Sequence, residues 1–335
     1  MKRYTTDTLW LIALLVILMI ITLVSFSLGR YPISAGDIFN YLFRGNYTDE
    51  NIPILIHQVR MPRIIGAILA GGGLAISGAA YQGLFRNPMV SPDLLGVSSG
   101  AGFGAALAII LSLGILGIQA MAFVAGVGAV LFTLFVSRLV GKNHDKILML
   151  VLSGMVVGSL FSALLSLMKY IADSESKLPD ITFWLMGSLA QVSLSELAVV
   201  APVVSIALIP LLLTSWKLNV LSFGDGEAAS MGVNTNQLRM TIVVCASLIT
   251  ASIVCITGLI GWVGLIIPHI ARFIVGANHR ILLPASFLLG AGFMLIIDDL
   301  ARSITTLEIP LGIITSLIGA PLFLFLLKVS GKKVW

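Results

Sequence analysis

The side chains that could do chemistry are few and scattered along the chain. The two cysteines, Cys245 and Cys255, stand ten residues apart in one apolar stretch, so about 15 Å of helix rise separates them and no disulfide joins them. No stretch matches the G-x-x-x-x-G-K-S/T loop that binds nucleotide phosphates. The four histidines fall in separate segments without the spacing of metal or haem ligands: His57, His144, His269 and His279. The sequence therefore predicts no metal site, no cofactor bound by this chain and no catalytic residue.

Two adjacent acids, Asp298 and Asp299, and the nearby Arg302 are the other candidates for chemistry. All three lie near the end of one apolar stretch, and no acidic residue of the chain falls at the centre of such a stretch. Acids in the middle of a membrane are typical of proton relays, whereas acids near an interface pair with neighbouring cations. We therefore interpret these three residues as an ion-pair cluster rather than as a proton relay.

The composition is that of a membrane protein. Of the 335 residues, 58% are hydrophobic and 10% charged, against about 25% charged in soluble domains, and the mean hydropathy is +1.06. The sequence predicts a single all-α transmembrane domain over residues 1–335. Ten apolar stretches long enough to be spans follow one another: 9–28, 64–82, 94–114, 118–137, 147–168, 192–213, 238–257, 260–275, 281–299 and 309–327.

Basic residues are distributed unevenly between the two sides that alternating spans define. With the N-terminus in the cytoplasm, 13 of the 20 lysines and arginines fall inside and seven outside, as the positive-inside rule favours. Both chain termini are then cytoplasmic. The thirteen are Lys2, Arg3, Arg86, Arg138, Lys142, Lys146, Lys217, Arg239, Arg272, Arg280, Lys328, Lys332 and Lys333.

The glycines lie mostly inside the apolar stretches, although glycine costs roughly 1 kcal/mol relative to alanine in a helix. In a membrane, small residues four apart let two helices approach closely. The second and third spans carry several such faces, and they predict a compact bundle. The glycines concerned are Gly71, Gly72, Gly73, Gly78, Gly83, Gly96, Gly100, Gly102 and Gly104.

The longest polar interruption in the second half is the segment 218–239, LNVLSFGDGEAASMGVNTNQLR. It predicts two short helices between two spans, too small to fold alone. Such a pair is either a knob for a partner protein or an ordinary loop, and this stretch alone leaves both open. Its signals are Asn219 as an N-cap, a turn at Gly224, Asp225 and Gly226, Gly232 as a C-cap, and Asn234 or Thr235 at the start of the next helix.

The residues between the second and third spans interrupt the helical pattern. Pro88 and Pro92 forbid a continuous helix, and Asp93 can cap the third span. Irregular backbone at membrane depth is tolerated only beside protein or a water-filled cavity. We predict that this segment lies beside a permeation path or its exit, the alternative being a surface loop without a role in gating. The candidate path and gate residues are Arg86, Asn87, Pro88, Pro92, Asp93, Ser98, Ser99 and Gly100.

Four stretches together resemble the FecCD-type permeases, the membrane subunits of ABC importers for ferric siderophores, haem and vitamin B12. They are RNPMVSPDLLGVSSGAG (86–102), LSFGDGEAASMGVNTNQLR (221–239), GLIGWVGLIIPHIARFIVGANHRILLPAS (258–286) and IPLGIITSLIGAPLFLFLL (309–327). The resemblance implies ten helices per subunit in a type II importer permease of a bacterial or archaeal cytoplasmic membrane. It also implies two permease subunits, two cytoplasmic ATPases that use ATP and magnesium, and one extracytoplasmic binding protein.

The resemblance also assigns residues. The segment 218–239 would form the coupling helices that enter a cleft of the ATPase. Arg60, Arg63 and Arg302, which we expect to be exposed on the outer face, would dock acidic side chains of the binding protein. The coupling residues are Leu221, Gly224, Asp225, Glu227, Ala228, Ala229, Met231 and Gly232.

The mechanism that the resemblance implies is alternating access driven by a separate ATPase, with no bond made or broken by this chain. A ferric siderophore is the first expectation for the cargo, ahead of haem, cobalamin and molybdate, and a homodimer is expected because two-fold assembly is the default. The sequence leaves two alternatives, an ion-coupled secondary transporter and a membrane scaffold. The first lacks acids at mid-membrane, and the second leaves the segment 86–100 and the three arginines unexplained.

Overall fold

The computed structural model describes residues 2–29, 31, 33–45, 49–141, 146–305 and 307–330. These residues form helices and turns without strands, so the predicted all-α class is confirmed. A π-helical turn, Leu55–Arg60, joins α3 to α4, and a 3-10 turn, Pro92–Leu95, precedes α5. The helices are α1 (Lys2–Ser27), α2 (Ala35–Arg44), α3 (Asn51–Ile54), α4 (Met61–Leu84), α5 (Val97–Ile110), α6 (Ile115–Val140), α7 (Lys146–Ile171), α8 (Lys177–Met186), α9 (Leu194–Leu213), α10 (Ser215–Leu221), α11 (Asp225–Ser230), α12 (Thr235–Thr257), α13 (Val263–Val275), α14 (His279–Ser303) and α15 (Leu311–Ser330).

Eight helical stretches of the described chain are long and apolar enough to cross a membrane. They are α1, the run from α3 to α4, α6, α7, α9, α12, α14 and α15. Two shorter apolar helices, α5 with 14 residues and α13 with 13, fall where the third and eighth spans were predicted. At about 1.5 Å per residue, each covers roughly 20 Å of a hydrocarbon core of about 30 Å. Neither helix alone is therefore long enough to cross that core.

The Lys2 and Arg3 side chains, Lys142, His144 and residues 331–335 lie outside what the structure describes. The predicted positions of the two termini therefore stay predictions. The bundle has two ends with different contents. The end that carries α10 and α11 is the coupling end, and the end that carries Arg60, Arg63 and Arg302 is the arginine end. About 36 Å of helix, the length of the 24-residue α4, separates them.

Polar side chains fix where several helices begin. Of the two residues predicted to open α12, Asn234 is the cap, because its side chain accepts a hydrogen bond of 3.0 Å from the backbone N–H of Gln237. At the start of α9, Ser193 and Glu196 form a reciprocal capping box. Such caps satisfy backbone N–H groups that have no partner inside the helix.

Asn219 does not cap a helix that follows it, and this prediction is wrong. The residue lies inside α10, where its side-chain oxygen accepts a hydrogen bond of 2.8 Å from the backbone N–H of His279. Its amide group donates to the side chain of Asn278 at 2.7 Å. A tertiary contact with the start of α14 has taken the side chain that a local cap would have used. As a result, α10 is fastened to α14.

The core of the bundle is built on backbone contact at glycines. A Cβ atom placed on Gly71 of α4 would lie 2.0 Å from the carbonyl oxygen of Gly290 in α14, and one on Gly78 would lie 1.8 Å from that of Gly264 in α13. No side chain fits into either gap. The close packing that the glycine pattern predicted is thus present, and α4 touches two other helices without side chains between them.

The helices differ in how much of their surface the chain itself covers. The most apolar window of the run ending in α4 is 83% buried, whereas that of α7 is 22% buried and that of α1 is 17% buried. The central position therefore belongs to α4. The wide exposed faces of α1 and α7 are left for lipid, for a cavity or for another chain.

Replacing Gly78 with alanine is expected to lower the thermal stability of the purified protein, because the new methyl group collides with the Gly264 backbone and forces α4 from α13. Overpacking of this kind costs about 1–3 kcal/mol. Gly128→Ala on α6 is the matched control, because nothing lies within 4 Å of the added atom. The measurement is the unfolding midpoint in detergent, and equal midpoints for the two variants would contradict the backbone contact.

Candidate functional site

The two short helices at the coupling end pack on the bundle through one face. Leu218 and Leu221 of α10 and Ala228 of α11 are fully buried. Helix α10 contacts α4 and α14, and α11 contacts α10 and α12. The pair is therefore seated on helices that reach the arginine end, and Leu221 and Ala228 hold it there.

The other face of α11 and its flanks is exposed. Phe223 is 71% exposed and Met231 is 59% exposed, and Glu227 and Ala229 are exposed as well. Large apolar side chains grouped on a surface mark sites of protein contact. Phe223 was missing from the residues proposed from the sequence, although an aromatic residue inside a polar segment was a usable signal.

Two glycines set the turns around α11. Gly224 precedes the helix with φ +122°, and Gly232 follows it with φ +81° and donates its N–H to the carbonyl of Ala229 at 3.0 Å. Residues other than glycine rarely adopt these backbone angles. The predicted C-cap at Gly232 is confirmed in this sense, because it terminates the short helix in the left-handed conformation.

Asp225, the first residue of α11, connects three parts of the coupling end. Its carboxylate accepts a hydrogen bond of 2.8 Å from Arg239 of α12 and lies 3.8 Å from the guanidinium of Arg86. Arg86 belongs to the irregular segment that follows α4 and has a positive φ of 49°. The structure thus joins the predicted coupling residues to the first of the predicted gate residues through one carboxylate.

The segment that follows α4 is irregular as predicted, since Pro88 lies outside any helix and Pro92 opens the 3-10 turn. The predicted cap at Asp93 is wrong. Gly96, with φ +85°, occupies the cap position of α5 without a side-chain hydrogen bond, because the 3-10 turn separates Asp93 from the helix start. Asp93 instead accepts a hydrogen bond from the hydroxyl of Ser98.

The gate residues at the start of α5 point to different surroundings. Ser98 and Ser99 are partly exposed, whereas Gly100 is buried, and a Cβ on it would lie 2.6 Å from the carbonyl oxygen of Ala125 in α6. Gly100 therefore serves close packing with α6. Asn87 is exposed, and its side chain accepts from the backbone N–H of Met89 at 2.9 Å.

A row of serines on α7 continues this surface. Ser159, Ser162 and Ser166 are exposed on a helix that is otherwise strongly apolar, and Ser162 donates to Ser99 at 3.2 Å. Ser159 and Ser166 hydrogen-bond to carbonyls of their own helix, so their hydroxyls are satisfied there. Sequence reasoning missed this row, although residues three and four apart share one helix face. The exposed face of α7 is thus more polar than a lipid-facing surface needs to be.

The three arginines at the other end are buried, so the expectation that they are exposed is wrong. Arg60, Arg63 and Arg302 have 3%, 5% and 6% of their surface exposed. Arg60 donates to two backbone carbonyls. That of Phe26 lies in the last turn of α1, and that of Tyr31 follows the helix. The chain after α1 covers the arginines and supplies part of their hydrogen bonding.

Acidic side chains compensate the other two arginines. Arg63 pairs with Asp298 at 2.8 Å and with Glu308 at 2.9 Å. Arg302 lies 3.6 Å from Asp298 and also pairs with Asp299. The interpretation of the two aspartates and Arg302 as an ion-pair cluster is confirmed. This cluster ties the start of α4 to the end of α14.

A cavity of about 580 Å³ opens between α5, α6, α8, α9 and the end of α12. Trp184 of the short helix α8 and Gln119, which donates to Glu196 at 2.8 Å, form part of its wall. Among the described residues, no group of three or more His, Cys, Asp or Glu side chains lies close enough to hold a metal ion.

Known proteins match this chain over nearly its whole length. The profile of the FecCD transport family matches residues 16–329. A solved structure described as an inward-facing conformation of a metal-chelate type ABC transporter superposes with a TM-score of 0.86 at 42% identity, covering 95% of this chain and 98% of that chain.

Relatives of this chain carry names with different cargo. It is 44% identical to the molybdate import system permease protein MolB of Haemophilus influenzae over 93% of each chain. It is 38% identical to the Fe(3+)-citrate import system permease protein YfmE of Bacillus subtilis over 99% of this chain and 98% of the relative. It is 35% identical to the hemin transport system permease protein HmuU of Yersinia pestis over 94% and 93%.

Replacing Asp298 with asparagine is expected to destabilise the protein strongly, because the carboxylate is fully buried and is shared by Arg63 and Arg302. Breaking a buried pair by removing one partner costs about 3–5 kcal/mol. Glu308→Gln is the matched control, since the Glu308 side chain is 30% exposed and its loss should cost about 1 kcal/mol or less. Thermal unfolding measures both, and a loss no larger for Asp298→Asn than for Glu308→Gln would contradict the shared role.

Proposed function

Because the chain belongs to the FecCD transport family, we propose that it forms the translocation path of a binding-protein-dependent importer for an anionic metal species. The chain is a permease of the ABC importers for metal chelates and a multi-pass protein of the inner membrane. Hydrolysis of ATP with magnesium belongs, in this proposal, to a separate subunit, and this chain binds no cofactor of its own.

Coupling to the ATPase is proposed to occur through the exposed face at α11. One observation supports this proposal. Helices α10 and α11 are packed firmly on the bundle and at the same time expose Glu227, Ala229 and Met231. Leu221 and Ala228 would seat the pair, Gly224 and Gly232 would shape it, and Asp225 would connect it to Arg86. A movement of α11 then reaches the segment after α4 directly.

The path is proposed to run along the exposed serines of α7 and the start of α5. Ser98, Ser99 and Ser162 offer hydroxyl groups without charge. Neutral donors and acceptors suit a cargo that must pass without being held tightly. A second permease subunit facing the exposed side of α7 would close the path, and a homodimer is the simplest assembly.

Docking of an extracytoplasmic binding protein at Arg60, Arg63 and Arg302 stays a prediction. Because these arginines are buried, a docking protein can reach them only where a neighbouring side chain is exposed and can be displaced. Glu308 is the one carboxylate of their cluster with substantial exposure, at 30% of its side chain. We propose that an acidic side chain of the binding protein reaches Arg63 by displacing Glu308, since a guanidinium bonds equally well to either carboxylate.

The cargo proposed from the sequence was a ferric siderophore, with molybdate among the alternatives. The MolB relative, at 44% identity, is named for molybdate import, and the YfmE relative, at 38%, for ferric citrate. Both cargoes are metal-containing anions. We therefore propose that the cargo is a metal-containing anion. Molybdate and the iron chelates are the first cargoes to be tested.

The test is transport into proteoliposomes that contain this chain, its ATPase and its binding protein, with ATP inside. Molybdate, a ferric siderophore, ferric citrate, haem and cobalamin are offered in parallel. Uptake of an anionic metal species that stops without ATP is the expected result. Uptake that follows an imposed ion gradient and needs no ATPase would contradict the importer and favour a secondary transporter.

Ala229→Arg is expected to abolish coupling without unfolding the protein, because Ala229 is small, exposed and central to the proposed contact. Co-purification of the ATPase and uptake should both fall by about tenfold or more, which corresponds to about 1.4 kcal/mol of binding energy. Ser174→Arg, an exposed small residue beyond the end of α7 at the arginine end, is the control. Normal uptake by Ala229→Arg would place the ATPase contact elsewhere.

A further inference from the structure

Two adjoining cavities lie beside the coupling helices, at the ends of α6, α7 and α12. Their volumes are about 350 Å³ and 340 Å³, and both are lined by Lys146 and Asn236. Arg86 and Asp225 line the first cavity, and Arg138 and Arg239 line the second. The two together are called the basic cleft. The segment 142–145 lies outside the described residues.

The charges of the basic cleft do not balance. Among the residues that the structure describes, four basic side chains and one carboxylate line it. Among the described residues, Asp225 is the ion-pair partner of Arg86 and Arg239, and neither Lys146 nor Arg138 pairs with a carboxylate. Lys146 instead donates to the neutral side chain of Asn236 at 3.1 Å. The described side chains of the cleft therefore carry a surplus of positive charge.

Arg239 gives an independent reason to expect an anion. The residue is only 7% exposed, and its side chain lines the second cavity. One of its terminal N–H groups reaches Asp225, but its buried Nε has no acceptor within the described part of the chain. A buried donor without an acceptor is costly, and an anion in the cavity would supply oxygens close to this guanidinium.

A helix end strengthens the positive potential. Helix α12 begins at Thr235, so the N-terminus of one long helix lies at the cleft. Helix N-termini carry partial positive charge and favour oxyanions such as phosphate. This contribution adds to the side-chain charges and does not depend on them.

The wall of the second cavity identifies which anion fits. Below its basic side chains the cavity is lined by apolar side chains of three membrane-spanning helices, namely Leu134, Leu150, Met240 and Val243. A free ion would leave this apolar wall against water. A phosphate attached to hydrocarbon chains would cover the wall and reach the cations at once, as basic pockets between spanning helices do with lipid head groups.

We propose that the basic cleft is a binding site for a phosphate-bearing anion, and that its occupant is the head group of an anionic phospholipid. The phosphodiester lies against Arg138, Lys146 and Arg239, and an acyl chain lies along the apolar wall. The lipid would join α6, α7 and α12 beside Asp225, the residue that links α11 to Arg86. This inference goes beyond the proposed transport function and does not depend on it.

The test is native mass spectrometry of the purified full-length chain with equal amounts of phosphatidylglycerol and phosphatidylcholine. We expect selective retention of phosphatidylglycerol. The double variant Arg138→Gln with Lys146→Gln should lose the retained lipid by about tenfold or more, since each basic residue near a membrane surface contributes a roughly fivefold preference. Arg280→Gln, which removes an exposed arginine at the same end outside the cleft, should retain it.

A second arm separates the two sources of phosphate. Inorganic phosphate is added at constant ionic strength to protein stripped of lipid, and the unfolding midpoint is recorded. A rise in the midpoint with phosphate, without selective retention of phosphatidylglycerol, would overturn the lipid assignment in favour of a free anion. Equal retention of the two lipids and no effect of phosphate would overturn the site. If the double variant does not fold, the single variant Arg138→Gln is compared with Arg280→Gln, and equal retention of phosphatidylglycerol by the two would overturn the site.

Discussion

The backbone contact of α4 with α13 and α14 is the constraint on which the rest of the structure depends. At Gly71 and Gly78 the neighbouring carbonyl oxygens occupy the space where a side chain would begin. In a membrane, apolar side chains gain little by leaving lipid for one another, so close packing has to hold helices together. With α4 fixed in this way, its two ends fix the places of the coupling end and the arginine end, where the two functional contacts are proposed.

The two ends of α4 are held by charges arranged in opposite ways. At the arginine end, Arg63 and Arg302 share buried acids, and the cluster is nearly balanced. At the coupling end, Asp225 is outnumbered by arginines and lysine around it. A balanced buried cluster locks helices in one arrangement, because separating its members leaves charges without partners. An unbalanced, partly exposed cluster can exchange partners, which suits the end where another protein is proposed to act.

Much of the fold was predictable from the sequence, because composition and apolar run length determine which stretches can cross a membrane. The short helices also followed from local signals, such as the cap at Asn234 and the turn at Gly232. One error is local, since a 3-10 turn separates Asp93 from the helix that it was expected to cap. Two others concern side chains whose partners are distant in sequence. Asn219 is taken by the start of α14, and Arg60 is covered by the chain after α1. Local sequence patterns do not predict such contacts, since the neighbouring residues carry no signal of the distant partner.

The glycine contacts of α4 also bear on how permeases of this kind diverge in evolution. A helix whose surface is in backbone contact with its neighbours cannot accept larger residues, so selection for a new cargo has little to vary there. Helix α7 has such a contact at Gly154, but its broad exposed face and its serines are free of that restriction. Lineages that differ in cargo should therefore have kept α4 nearly unchanged and altered α7.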